Sequence, residues 1–170
     1  MIQYIQGDLF PVLETVGHPL IVVPHIVNDA GRFGSGFAKA VMTHYPTVRE
    51  HYMDWSDIGE NRRELGNTQF VVVSPNIVFA NMVGQHGTVN PTNPKPIKYL
   101  GLANAMDKVA EAFRNKKWGY VTDTAEIVCP LFGSGLAMGN WKFIEELINE
   151  IWKGIKVSVY YLEQDAQIIT

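Results

Sequence analysis

Apolar and polar positions alternate in some stretches of this chain and step by three and four in others, and the two spacings interleave. Residues 2–6 carry Ile2, Tyr4 and Ile5 and predict a first strand that ends at Gly7-Asp8. Leu9 to His18 predicts one helical turn and a loop, with Pro11 near its start. The run from Leu20 to Val27 predicts a second, buried strand. Ala38-Lys39-Ala40-Val41-Met42 follows as the opening of a helix stopped by Pro46. Between Thr47 and Asp57 the spacing of Val48, Tyr52 and Trp55 predicts a short helix, and Gly59 to Gly66, with its two arginines, an exposed loop. Thr68–Val73 and Asn76–Val83 are strand-like runs joined at Ser74-Pro75, which predicts a hairpin whose second strand is central. Gly84 to Pro96, rich in glycine and proline, predicts a long loop of the kind that carries function. Leu102, Met106, Val109 and Phe113 lie on one face of a helix from Ile97 to Phe113. Ala125–Cys129 predicts a strand, Asn140–Trp152 a helix with a wide apolar stripe, Lys156–Leu162 the last strand, and Glu163–Thr170 a tail. Strands and helices in alternation with one hairpin predict an α/β fold, a mixed sheet between helical layers.

Composition narrows the picture. The chain has 170 residues, 46% of them hydrophobic, enough for one domain spanning 1–170 with a real core. A net charge of −3 argues against a general nucleic-acid binder, which carries a basic excess. Cys129 is the single cysteine; it has no internal disulfide partner and reads as a buried structural thiol, which fits an intracellular setting. No apolar run reaches membrane-spanning length, and the first eight residues lack the basic and apolar regions of a signal peptide, so a cytoplasmic location is expected.

The candidate chemistry centres on a near-repeat. Phe33-Gly34-Ser35-Gly36-Phe37-Ala38 and Phe132-Gly133-Ser134-Gly135-Leu136-Ala137 each follow a predicted strand and precede a helix. Glycine lets the backbone approach a ligand, and a helix N-terminus faces it with unpaired N–H groups, so such a loop suits an anion. Two of them suggest a diphosphate gripped from both sides. Neither is a Walker loop, because no Gly-Lys-Ser/Thr follows, and neither has the third glycine of a dinucleotide fingerprint. His25, Asn28 and Asp29 fall at the C-terminal end of the second strand, the ligand edge of an open α/β sheet. His25 reads either as a core histidine or as a catalytic one. Asn28 and Asp29 read as turn formers or as ligands of ribose hydroxyls. Asp8 reads as a turn or capping residue or as an acceptor for the amine of an adenine. His86 lies in a glycine-flanked turn, His44 and His51 on helix surfaces, and no histidine pair has metal-ligand spacing, so neither metal nor cofactor is expected.

Gly7-Asp8-Leu9, Val27-Asn28-Asp29-Ala30, Gly34-Ser35-Gly36-Phe37-Ala38 and Phe132-Gly133-Ser134-Gly135-Leu136 together resemble the macro domain, over Ile2 to about Leu162. His25-Ile26-Val27-Asn28, Ala80 to Gly87 and Trp141 look closest to the branch that contains ADP-ribose 1''-phosphate phosphatases and terminal ADP-ribose glycohydrolases. The resemblance implies a three-layer α/β/α domain with ADP-ribose in a cleft at the strand ends. Asp8 would match the adenine-binding aspartate with Leu9 beside it, and Asn28 the asparagine that holds the distal ribose. Gly34, Ser35, Gly36 and Phe37 would form the first phosphate loop, and Gly133, Ser134, Gly135 and Leu136 the second. The loop from Gly84 to Pro96 reads, on its own residues, either as a surface crossover to the helix at Ile97 or as lying over the cleft, where Gln85 or His86 would reach the distal ribose or the phosphate being removed.

The same resemblance implies an activity. The protein-deacylating branch has an aspartate where this chain has Ala38; the lysine-dependent branch has its lysine near Met42 or Thr43 and an aspartate where Ala137 stands. The histidine of the phosphatase-like branch is matched by His25. The expectation is therefore an ADP-ribose 1''-phosphate phosphatase in which His25 acts on water or as nucleophile, while Asn28 and Asp29 fix the distal ribose. Its rivals are removal of ADP-ribose from protein or nucleic acid, and a module that binds ADP-ribose without turnover. The expected partners are ADP-ribose or its 1''-phosphate; no membrane, and nucleic acid only as an ADP-ribosylated substrate.

Overall fold

The computed structural model describes residues 2–119 and 124–170. Six strands form one sheet: β1 (Ile2–Gln6), β2 (Ile21–Asn28), β3 (Thr68–Ser74), β4 (Ile77–Gln85), β5 (Glu126–Cys129) and β6 (Lys156–Tyr161). Their spatial order is β1-β6-β5-β2-β4-β3, parallel throughout except for β3, which closes the predicted hairpin with β4. Helices α1 (Phe10–Leu13), α2 (Phe37–His44) and α3 (Pro46–Asp54) cover one face; α4 (Tyr99–Arg114) and α5 (Trp141–Ile151) cover the other.

The layers follow from two-residue periodicity in strands buried on both sides. In β2, Val22 packs with Leu102, Met106 and Ile144 on the α4/α5 side, while Ile21, Val23 and Val27 pack with Val41, Val48 and Tyr52 on the other. Every residue of β4 is buried, which agrees with the central position its apolar run predicts. Cys129 is likewise buried, and loss of solvation pushes its thiol well above the ordinary range, so it is packing rather than nucleophile. Pro46 ends one helix and, with its fixed φ, opens the next as the first residue of α3. Glu163–Ile168 forms a short 3₁₀ helix where the sequence predicts only a tail. No helix among the described residues is long and apolar enough to cross a membrane.

Two features of this sheet place the site. The chain leaves β2 through α2 and α3 toward β3 and β4, and leaves β5 through α5 on the opposite face toward β6 on the opposite side. The boundary between β5 and β2 is therefore the switch point at which open α/β sheets bind ligands. In addition, β2 keeps its β5 partner only at Ile21 and Val22. Pro24 follows, with no N–H to extend that ladder, and the ends of the two strands are left unpaired with each other.

Candidate functional site

A cleft of about 640 Å³ opens at that junction, a volume typical of small-molecule sites. Its walls are the last residues of β2 (His25 to Asn28), the first glycine loop (Gly34 to Ala38), the turn after β5 (Pro130 to Phe132) and the second glycine loop (Gly133, Gly135, Leu136). Gln85, Thr88 and Val89, from the long loop after β4, complete the rim. The two glycine loops face each other: a β-carbon on Gly36 would come within 3.5 Å of Leu136 Cδ1.

The two loops are built differently. Gly36 (φ 58°, ψ −136°) turns the chain directly into α2, and no side chain among the described residues caps that helix; Lys39 N turns back to Gly36 O (3.1 Å), and the N–H groups of Phe37 and Ala38 are left for a ligand. The second loop does not open straight into a helix. It first folds back through Met138 N to Gly135 O (2.9 Å) and Gly139 N to Gly133 O (2.7 Å), and α5 begins only after Asn140 caps Lys142 N at 3.0 Å. Gly133 is wedged (φ 82°), its missing side chain replaced by Ile144 and Ile97. Gly34 and Gly135, in contrast, avoid positive φ and border open space.

Behind the first loop lies a bracing set. Asn28 Oδ1 accepts from Ala30 N (3.0 Å), Arg32 N (3.2 Å) and the Tyr52 hydroxyl (2.9 Å), while its Nδ2 donates to Arg32 O (2.7 Å). Arg49 Nε donates to Phe33 O at 3.2 Å, and Arg63 donates to Asp29 O and Trp55 O at 3.3 and 2.8 Å. Asn28 is thus engaged in shaping the loop, the turn-forming one of its two readings. The segment from Gly59 to Gly66 is not simply an exposed loop, since Arg63 reaches in from it over the Tyr52 ring.

His25 sits on the cleft floor, 1% exposed, with Phe33, Phe37 and Phe79 edge-on around it. Its tautomer follows from a polar ladder across three strands. The carbonyl of His51 can only accept, so Gln69 Nε2 donates to it (2.9 Å). Gln69 Oε1 then accepts from Asn81 Nδ2 (3.0 Å), and Asn81 Oδ1 accepts from His25 Nε2 (2.6 Å). The rungs are register neighbours, His25 opposite Asn81 and Asn81 opposite Gln69. His25 therefore carries its proton on Nε2, and its Nδ1 lone pair is buried without a hydrogen-bond partner among the described residues. Burial lowers its pKa from 6.5 to about 4, the Asn81 bond opposing the fall, so the ring is neutral at physiological pH.

The other predicted residues divide. Gly34, Ser35, Gly36, Phe37, Gln85, Gly133, Gly135 and Leu136 line the cleft with His25 and Asn28. Ser134 does not; its hydroxyl donates to Leu131 O at 2.7 Å. Asp8 lies beyond the cleft at the end of β1, where Oδ1 accepts from Phe10 N (3.1 Å), and Leu9 is a core residue. Asp29 and His86 bind each other, Oδ2 to Nδ1 at 2.6 Å, and line no part of the cleft; Asp29 Oδ1 also takes Gly87 N at 2.8 Å. The loop from Gly84 to Pro96 borders the cleft through Gln85, Thr88 and Val89, while His86 turns to Asp29 rather than inward. Trp141 is buried at the start of α5 and donates to the Tyr4 hydroxyl at 2.9 Å. Among the described residues no three His, Cys, Asp or Glu side chains group as metal ligands.

Sequence reasoning missed Arg32, Tyr52, Arg63, Asn81 and Gln69. Asn81 carried a signal, a lone amide inside the apolar run of β4. Arg32 carried a weaker one, its place between Asn28 and the first glycine loop.

The fold and cleft define a class: a three-layer α/β/α protein with paired glycine loops at the switch point of its sheet. No family model matches the chain. It is 34% identical to a protein of unknown function from Bacteroides thetaiotaomicron, over 95% of this chain and 98% of that one, with a TM-score of 0.80. A macrodomain protein from Streptomyces coelicolor is 33% identical over 94% of this chain and 98% of its own, with a TM-score of 0.72. At 23% identity, the chain also matches a curated ADP-ribose 1''-phosphate phosphatase from Debaryomyces hansenii over 96% of its length and 100% of that relative. The chain belongs to the macrodomain family.

Proposed function

We propose that the cleft binds ADP-ribose and that the chain hydrolyses ADP-ribose 1''-phosphate to ADP-ribose and inorganic phosphate. The observation that carries the reading is the pair of glycine loops facing each other across one cleft, Gly36 against Leu136. Backbone N–H groups on both sides would hold a diphosphate and stabilise charge on it. The name of the Debaryomyces hansenii relative supports the phosphatase step. Asp8, with Leu9 beside it, would mark the adenine end, and Asn28 would hold the distal ribose through the loop it shapes. Gly34 to Phe37 and Gly133 to Leu136 would flank the phosphates, with Ser134 acting only by shaping its turn. For His25 to orient the attacking water, its ring would have to turn so that the buried Nδ1 opens into the cleft. Because the ring is neutral and its conjugate acid is weakly held, orienting that water suits it better than full proton abstraction. Asp29 would act through His86.

The test joins calorimetric titration of ADP-ribose with phosphate release from ADP-ribose 1''-phosphate. A micromolar or tighter Kd, about −8 kcal/mol, is expected together with release. His25→Ala is expected to lower turnover about a hundredfold, far more than it lowers affinity. Binding without release would leave an ADP-ribose-binding module, which the engagement of Asn28 in its own loop would favour. Release of ADP-ribose from modified protein or nucleic acid, with the 1''-phosphate untouched, would replace the phosphatase reading. No binding at millimolar ligand would end all three.

A further inference from the structure

We propose that a polar chamber beside the cleft is the subsite for an anionic phosphate on the anomeric carbon of the distal ribose, with Arg32 and His86 as the residues that recognise it. The proposal rests on the ADP-ribose reading above and adds the residues that would select the 1''-phosphorylated form.

The chamber, about 390 Å³, lies between the loop after β2 and the loop after β4. Arg32 and Thr88 line both it and the cleft, so the two spaces adjoin. Along the C-terminal edge of the sheet the order is Asp8 on β1, the cleft between β5 and β2, then the chamber on the β2/β4 side. With adenine at Asp8 and the diphosphate between the glycine loops, the distal ribose falls at the β2 end. Its anomeric substituent then falls next to the chamber.

The lining matches an anion. Arg32 is exposed, and its backbone is fixed on both sides by Asn28, which takes Arg32 N at 3.2 Å and gives Nδ2 to Arg32 O at 2.7 Å. The guanidinium carried by that fixed backbone presents a planar fork of donors that suits a phosphate. His86 is 67% exposed, and its Nδ1 is held 2.6 Å from Asp29 Oδ2, which leaves Nε2 for a ligand; in the imidazolium form Nε2–H donates. Both Asp29 oxygens are engaged, the second by Gly87 N at 2.8 Å.

The loop that carries His86 is fixed by its own bonds. Asn93 Nδ2 donates to His86 O and Thr88 O at 2.8 and 3.0 Å, and Asn90 and Asn93 exchange backbone bonds at 3.2 and 2.9 Å. A site whose donors are held before the ligand arrives has less order to impose on binding. Apart from His86, no aromatic ring among the described residues lines the chamber, so a nucleobase would lack a stacking face there. Phosphate is the class that fits.

The test uses the full chain and four probes: ADP-ribose, a non-hydrolysable ADP-ribose 1''-phosphonate, inorganic phosphate and an ADP-ribosylated oligonucleotide. The phosphonate is expected to bind at least tenfold more tightly than ADP-ribose. Arg32→Gln and His86→Asn should each bring that ratio down toward one. Inorganic phosphate alone should shift the His86 ring signals in NMR spectra, and Arg32→Gln should remove the shift. A parent protein without preference for the phosphonate, whose His86 signals ignore phosphate, overturns the subsite. So does a parent that prefers an ADP-ribosylated oligonucleotide to the phosphonate, since the chamber would then serve a nucleic acid. Loss of ADP-ribose binding with the phosphate response and its Arg32 dependence intact would refute the ADP-ribose reading and keep the chamber as an anion site.

Discussion

Two glycines in the second loop, two residues apart, should respond to the same substitution with opposite changes in stability. At Gly133 the backbone has φ 82°, and an added β-carbon would stand 2.9 Å from Ile144 Cδ1 and 3.1 Å from Ile97 Cδ1. Alanine there incurs left-handed strain of about 1–2 kcal/mol and overpacking of about 1–3 kcal/mol. At Gly135 the φ is not positive and no atom lies within 4 Å of the new carbon. Alanine there removes freedom from the unfolded chain and should stabilise the protein by about 0.4–1 kcal/mol. For a chain of this length each kcal/mol moves Tm by roughly 2–4 °C. Gly133→Ala should therefore melt several degrees below the parent, and Gly135→Ala one to a few degrees above it. Because the open space beside Gly135 is the cleft itself, the methyl group stands where the diphosphate would approach. ADP-ribose affinity should fall at least tenfold, about 1.4 kcal/mol, in the variant that gained stability. Differential scanning calorimetry and titration calorimetry on the same samples read both signs. A Gly135→Ala protein that gains stability and keeps the parent Kd would refute the second loop as a phosphate cradle. Equal losses of stability at the two positions would refute the geometry from which the signs were drawn.

The buried His25 should make stability fall with acidity: with a folded pKa of about 4 against 6.5 unfolded, the unfolded chain binds the extra proton between those values, so stability rises with pH across that window. Unfolding free energies from urea titrations at pH 7 and pH 5 should differ by about 2 kcal/mol more in the parent than in His25→Gln, and identical pH slopes would show that the ring is not buried neutral. Tyr52→Phe removes the hydroxyl that donates to Asn28 O (2.6 Å) and Oδ1 (2.9 Å), and chemical denaturation should show a loss of about 1–2 kcal/mol; no loss would mean that the loop is not held from that side. Asp8→Ala should weaken ADP-ribose more than ribose 5-phosphate in parallel titrations, since only ADP-ribose has an adenine, and equal weakening would remove Asp8 from the adenine end.

Most of the architecture was legible in the sequence because burial imposes spacing. The apolar run of β4, the three-and-four steps of α4 and the turn at Ser74-Pro75 can each be satisfied in one way, and the structure has the central strand, the helix and the hairpin where those patterns put them. The two glycine loops were legible for a related reason: their repeated hexapeptides flank strand and helix in the chain itself. The 3₁₀ turn at Glu163–Ile168 was not, since so short a segment has no period to read.

The site was legible as a set of candidates, and its division into cleft and support was not. Asn28 sits on the ligand edge as its sequence position implies, but its side chain is turned to Ala30, Arg32 and Tyr52, the last a residue 24 positions away. His86 bonds to Asp29 across 57 positions, and His25 to Asn81 across 56. Hydrogen bonds of that kind depend on which strands become neighbours, and strand order is set by packing of both sheet faces at once rather than by any local pattern. The sequence by itself determined the strands, the helices and the two loops able to meet an anion. Only the tertiary structure decided that β5 and β2 part beyond Val22 to open a cleft, that His25 lies neutral beneath it, and that Arg32 stands between the cleft and a second chamber. The physical reason is that solvation, tautomer and reach belong to the surroundings of a side chain, and those surroundings come from distant parts of the chain.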